Sequence, residues 1–163
     1  MYLSLTKHKY LFDIFLCIIF FLLNLFLPKL IFIKGFSIGF DFILVFLTIL
    51  IFKYDNYKII FLAFVFGLLQ DFIISIEQIG IISFLKSISV YCVGLIKQYQ
   101  FIWNSTTKYL TLLLISFFHF FIYYFLIFNE FNFFIIYSSI FNSFLYFISI
   151  LIINKYYFNS RLI

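Results

Sequence analysis

Asp71 and Lys86 are the side chains best placed to do chemistry. A carboxylate and an ammonium each stand inside an apolar run, within the stretch from Gly67 to Gly94, GLLQDFIISIEQIGIISFLKSISVYCVG. An ionisable group at mid-bilayer depth costs about 3 kcal/mol or more unless it is paired or shielded from lipid. The pattern predicts an apolar helical hairpin with Glu77, Gln78 and Gly80 at its turn. The centre falls between Gln78 and Ile79, so Asp71 precedes it by as many residues as Lys86 follows it. That symmetry puts the two side chains at similar depth on antiparallel helices and favours a structural ion pair between them. On the first limb Gly67, Asp71 and Ser75 recur every four residues and share one helix face. Gly67 permits close approach of a neighbouring helix. A polar site facing the bundle interior is the competing reading of this face.

Two further helix faces carry polar groups. Ser138, Ser139, Asn142, Ser143 and Tyr146 recur at helical spacing. They could line a substrate path, but hydrogen bonding between helices, worth about 0.6 to 2 kcal/mol per contact, is the stronger reading. His119 could relay protons or bind a metal. His8 is the one other histidine, so a buried, hydrogen-bonded His119 is favoured over a metal ligand. Asp13, Asp41, Asp55, Asp71, Glu77 and Glu130 fall in separate segments. They form no paired-carboxylate constellation, and no phosphate loop, HExxH or GxSxG motif appears. The expectation is a protein without catalytic residues, cofactor or metal.

The elements that hold these residues follow from composition. The chain has 163 residues, 66% hydrophobic and 10% charged. A soluble domain needs far more polar surface to face water, so the class is an integral membrane protein. Each helix needs roughly 20 apolar residues to cross a ~30 Å hydrocarbon core, which leaves room for five or six spans and no separate domain outside the bilayer. The apolar runs are continuous and lack period-two alternation, so they read as helices and not barrel strands. The spans are expected at about 10–27, 40–52, 59–76, 79–96, 109–128 and 133–153. Pro28 ends the first, and no small-residue cleavage site follows it, so it reads as a retained helix. Leu30 to Ile33 is too short to span. Asp41 opens the second span, where a carboxylate suits the helix dipole. Trp103 is expected as an interfacial anchor in the polar connection between Lys97 and Lys108. Cys17 and Cys92 lie inside apolar runs and are expected to stay unpaired.

Orientation follows from the basic residues. With the N-terminus in the cytoplasm, the inner segments carry eight: Lys7, Lys9, Lys53, Lys58, Lys97, Lys108, Lys155 and Arg161. The outer segments carry two, Lys29 and Lys34. This bias predicts an even number of spans, six, with both termini cytoplasmic. No basic cluster is dense enough for nucleic acid.

The hairpin resembles the bacterial rod shape-determining protein family MreD. That family carries a G-L-L-x-D run on its third helix, a small-residue turn, and a following helix that ends near a Y-L-x-G pattern. Gly67, Leu68, Leu69 and Asp71 match the first part, Ser75 and Gly80 bracket the turn, and Tyr91, Gly94 and Lys97 match the end. Asn142 resembles an asparagine in the family's last helix. SIEQIG replaces the small-residue turn, Phe40 stands where the family has proline, and Lys86 where it has an apolar residue. The resemblance implies a non-enzymatic scaffold of the bacterial inner membrane. It would partner an MreC-like single-span protein within the cell-elongation machinery of MreB filaments, a polymerase and a transpeptidase. It would contribute to cell shape and peptidoglycan synthesis. Gly67, Asp71, Ser75, Gly80, Lys86, Gly94 and Asn142 form the expected partner-binding or structural polar site. The family also looks like the six-helix substrate-binding subunits of energy-coupling-factor vitamin transporters, which is the alternative function. Those subunits carry an Ala-x-x-x-Ala dock on the first helix. Here that helix, LFDIFLCIIFFLLNLFL, has no alanine.

Overall fold

A computed structural model describes residues 2–26, 31–33, 36–74, 79–128 and 131–157. Six helices make up nearly all of it. They are α1 (Tyr2–Phe26), α2 (Phe42–Lys53), α3 (Asn56–Ile74), α4 (Ile81–Gln98), α5 (Ser105–Phe128) and α6 (Phe133–Tyr157). Between α1 and α2 a short antiparallel ribbon pairs β1 (Ile31–Ile33) with β2 (Phe36–Ile38), Ile31 opposite Ile38. The ribbon covers the segment judged too short to span.

Among the described residues, four helices are long and apolar enough to cross a membrane: α3, α4, α5 and α6. In α1 the described side chains from Asp13 to Phe26 form a further apolar stretch. The 12 residues of α2 cover only about 18 Å at the α-helical rise, against a ~30 Å core.

The outer surface is apolar, and several polar and charged side chains are enclosed within an apolar core. Asp71, Lys86 and Asn142 are 0% exposed, whereas Phe61 is 69% and Phe133 75% exposed. In water this distribution would be strongly unfavourable. In lipid it is the expected one, because apolar side chains gain nothing by leaving the tails while polar groups must find partners.

At the centre sits α2. It packs against α1, α3, α4 and α6, and Val45, Leu47 and Ile51 are all but inaccessible. Phe20 of α1 stacks on Phe46 of α2 with ring centroids 5.2 Å apart. Around this axis α3 pairs with α4, α4 with α5, and α5 with α6. The sequence of α2, FILVFLTILIFK, is apolar all round, as a helix enclosed on every side must be. Its start is specified by side chains. Asp41 Oδ1 accepts from the Leu44 amide at 3.0 Å, and Asn24 Oδ1 of α1 accepts from the Phe42 amide at 3.2 Å. Two of the four amides that a helix start leaves without backbone partners are thereby satisfied.

Candidate functional site

The hairpin of α3 and α4 closes on Gly67. A Cβ built there would lie 2.2 Å from Ser83 Cα, so the two backbones are in contact and only glycine fits. This contact sets the register of the pair. With Gly67 opposite Ser83, Asp71 lies opposite the turn at Gly80, and Lys86 lies opposite Phe64. Asp71 and Lys86 are therefore offset by the seven residues from 64 to 71, about 10 Å along the axis. The equal depth expected from the sequence does not occur.

Asp71 serves the start of α4 instead. Gly80, at the helix cap, adopts a left-handed conformation with φ 106° and has no side chain to offer. Asp71 supplies the missing acceptors from across the hairpin. Its Oδ2 accepts from the amides of Gly80 at 3.0 Å and Ser83 at 3.1 Å, and its Oδ1 from the amide of Ile82 at 3.1 Å. A carboxylate at this end also suits the positive pole of α4. The expected Asp71–Lys86 ion pair is thus replaced by a tertiary helix cap.

Lys86 pairs with Asp41. Its Nζ lies 2.9 Å from Asp41 Oδ1 and 2.8 Å from Oδ2. The ammonium side chain is fully buried and the carboxylate 12% exposed. Three residues past Ser83, the Lys86 side chain is turned about 60° around α4, away from α3 and toward the head of α2. Asp41 was legible as a carboxylate suited to the dipole at the start of α2, but not as this partner. A burial argument alone leaves three aspartates, Asp13, Asp41 and Asp71, as candidates, and nothing in the sequence states that α2 and α4 are neighbours.

A second polar layer lies beside the first. His119 Nδ1 is 2.8 Å from Ser89 Oγ, joining α5 to α4, and His119 is buried. Thr48 of α2 bonds the Tyr146 hydroxyl of α6. Asn142 Nδ2 donates to the Tyr124 hydroxyl at 2.6 Å, while its Oδ1 is buried without a partner. The serines of α6 do not reach across helices as expected. Ser138, Ser139 and Ser143 donate to carbonyls of Phe134, Ile135 and Ile140 in their own helix. A hydroxyl three or four residues along a helix has that acceptor at hand and needs no neighbour.

The remaining expected site residues are dispersed. Gly94 lies 14 positions beyond Gly80, about 21 Å away at the helical rise, where Asn56 Nδ2 donates to its carbonyl at 3.3 Å. A Cβ on Gly94 would come within 3.0 Å of that nitrogen. Ser75, Glu77 and Gln78 lie outside the described residues. Gly67, Asp71 and Gly80 therefore form one structural unit with Ser83, Lys86 joins a second with Asp41, and Gly94 and Asn142 belong to separate contacts. Near Gly94, Lys53 Nζ lies 2.7 Å from both oxygens of Asp13, the Tyr54 hydroxyl bonds the same carboxylate, and Lys97 Nζ donates to the Tyr54 carbonyl at 2.6 Å.

A groove of about 680 Å³ runs between α4 and α5, walled by Phe84, Ile88, Leu114 and Phe118, with Ser89 and His119 on its lining. It offers an apolar ligand a surface, with the polar side chains of Ser89, Thr111 and His119 on its lining. Among the described residues no three histidine, cysteine or carboxylate side chains come together as a metal set. Cys17 and Cys92 are free thiols. No family model, curated protein or solved structure matches this chain.

Proposed function

We propose that this chain is a scaffold subunit of the bacterial cell-elongation complex, similar to MreD, seated in the inner membrane. In this reading it is a six-span bundle with both termini in the cytoplasm. It holds an MreC-like single-span partner and so contributes to cell shape and peptidoglycan synthesis with MreB filaments, a polymerase and a transpeptidase. The observation that carries the reading is the closure of the α3–α4 hairpin by Gly67 and Asp71, the two residues on which the resemblance leans most. Each has a specific structural task that a random apolar helix pair would not require. The orientation is supported by the lysines. Among the described side chains Lys53, Lys58, Lys97 and Lys108 all sit toward one end of the bundle, at the C-termini of α2 and α4 and the N-termini of α3 and α5.

The test is depletion of the protein in its native cell, with cell width and partner co-purification measured together. Rounded cells and loss of the MreC-like protein from the complex are expected. Normal shape with failed uptake of a vitamin would establish the transporter alternative instead. Reporter fusions after Lys53, Lys97 and Arg161 are expected to report cytoplasm, and fusions after Lys34, Gln78 and Glu130 the outside.

A further inference from the structure

The turn between α4 and α5 presents its apolar residues outward. Phe101 is 92% and Ile102 76% exposed. These are among the least covered large side chains in the described structure, yet they sit on a connection and not on a lipid-facing helix. The turn that carries them is built. The amides of Ile102 and Trp103 both donate to the Tyr99 carbonyl at 3.0 Å, and the Gln100 amide donates to the Lys97 carbonyl at 3.4 Å. Behind the tip, the rings of Tyr99 and Trp103 stack at 14° with centroids 5.7 Å apart, and Trp103 packs against the core. Phe101 and Ile102 are therefore held out by a formed turn, and a surface that receives them need not order it.

Two helices long and apolar enough to cross a membrane flank this turn, so it lies at a membrane surface. Lys97 and Lys108 bracket it, and Lys53 and Lys58 stand at the same end of the bundle. Against them the described acids at this end are Asp13 and Asp55, so these side chains carry four positive and two negative charges. An apolar tip between cations matches an interface whose upper layer is anionic and whose lower layer is hydrocarbon. A helix groove of a soluble partner would supply the apolar contact but has no reason to be anionic on both sides of it.

We propose that the Tyr99–Asn104 turn is an interfacial anchor that inserts Phe101 and Ile102 among the headgroups of anionic phospholipids in the protein's own bilayer. Lys108 lies beside the tip toward the headgroups, and Lys97, whose ammonium donates to the Tyr54 carbonyl, adds its positive charge at the same end. The insertion fixes the depth of the α4 and α5 ends relative to the membrane surface.

Trp103 is the single tryptophan of the chain, so its emission reports on this turn without a label. The full chain is reconstituted into vesicles of phosphatidylcholine, alone or mixed with phosphatidylglycerol. Quenching of Trp103 by lipids brominated high on the acyl chain is compared with quenching by aqueous iodide. Strong bromolipid quenching and protection from iodide are expected, both greater with phosphatidylglycerol, the gain being lost at high salt. Changing Phe101→Asp and Ile102→Asp together should reverse the two quenching patterns while helix content stays unchanged. Iodide quenching of the wild-type protein without bromolipid quenching would overturn the proposal and leave the turn as a docking site for a soluble protein. Equal bromolipid quenching with and without phosphatidylglycerol would overturn the assignment to anionic lipid.

Discussion

Lys86 of α4 and Asp41 at the head of α2 form a buried ion pair, with Nζ 2.8 and 2.9 Å from the two carboxylate oxygens. Their side chains come from positions 45 residues apart and tie the central helix to the hairpin that packs over it. Asp41 has two tasks at once, since the oxygen 2.9 Å from Lys86 also accepts from the Leu44 amide.

The pair is separable from the cap by substitution. Asp41→Asn keeps a capping side chain and removes only the charge, so its cost measures the unpaired Lys86. Breaking a buried pair costs ~3 to 5 kcal/mol. Asp41→Asn and Lys86→Met should each lower thermal stability in detergent by that order, and the double variant should recover much of the loss. In the parallel cycle, Asp71→Asn with Lys86→Met should be additive within about 0.5 kcal/mol. Strong coupling in the second cycle and none in the first would reverse the assignment of partners.

Asp71 should be sensitive to the number of acceptors it carries. Asp71→Ala leaves the amides of Gly80, Ile82 and Ser83 without partners, at about 1–3 kcal/mol for each buried orphan. Asp71→Asn retains one oxygen and should fall between alanine and wild type. Amide hydrogen exchange in the first turn of α4 is the measurement, and faster exchange at Ile82 and Ser83 in the alanine variant is the expected outcome.

The glycines of the hairpin should fail for different reasons. Gly67→Ala puts a methyl into the Ser83 backbone and must separate α3 from α4, an overpacking cost of about 1–3 kcal/mol or more. Gly80 has open space around it but a positive φ of 106°, so Gly80→Ala should cost roughly 1–2 kcal/mol through the backbone alone. Unfolding in a graded series of detergent mixtures will rank them, and cross-linking between α3 and α4 should weaken only in the Gly67 variant.

Asn142 should be more tolerant than its burial suggests. Its Oδ1 is already an orphan, so Asn142→Leu removes one hydrogen bond to Tyr124 and one unsatisfied carbonyl together. A net change within about 1 kcal/mol is expected. A loss of several kcal/mol in the same unfolding assay would mean that Oδ1 has a partner in the membrane.

The helices and their polar faces were legible because lipid enforces long apolar runs, and each of the six expected stretches contains a helix. Gly67 was legible as a point of close approach, and Asp41 as a carboxylate suited to the start of α2. The pairing of Asp71 was not. The symmetry argument assumed that the hairpin folds about its midpoint in sequence. The Gly67–Ser83 contact instead shifts the register by seven residues, as the offset of Asp71 from Lys86 shows, and a shift of this kind depends on which backbone atoms can touch. The place of α2 was also hidden. An all-round apolar run of 12 residues reads as a span, and only the presence of α1, α3, α4 and α6 around it explains its length.

That enclosure bears on how the protein is made. A segment about 18 Å long touching protein on four sides has no stable place in lipid by itself. The Thr48–Tyr146 bond joins residues 98 positions apart, so the seat of α2 closes only once α6 has left the ribosome. Until then the flank of α2 that α6 covers stays open, while Asp41 can already pair with Lys86 once α4 has formed. Assembly around α2 is thereby tied to the arrival of α6, and a chain stalled before α6 leaves that side of α2 uncovered.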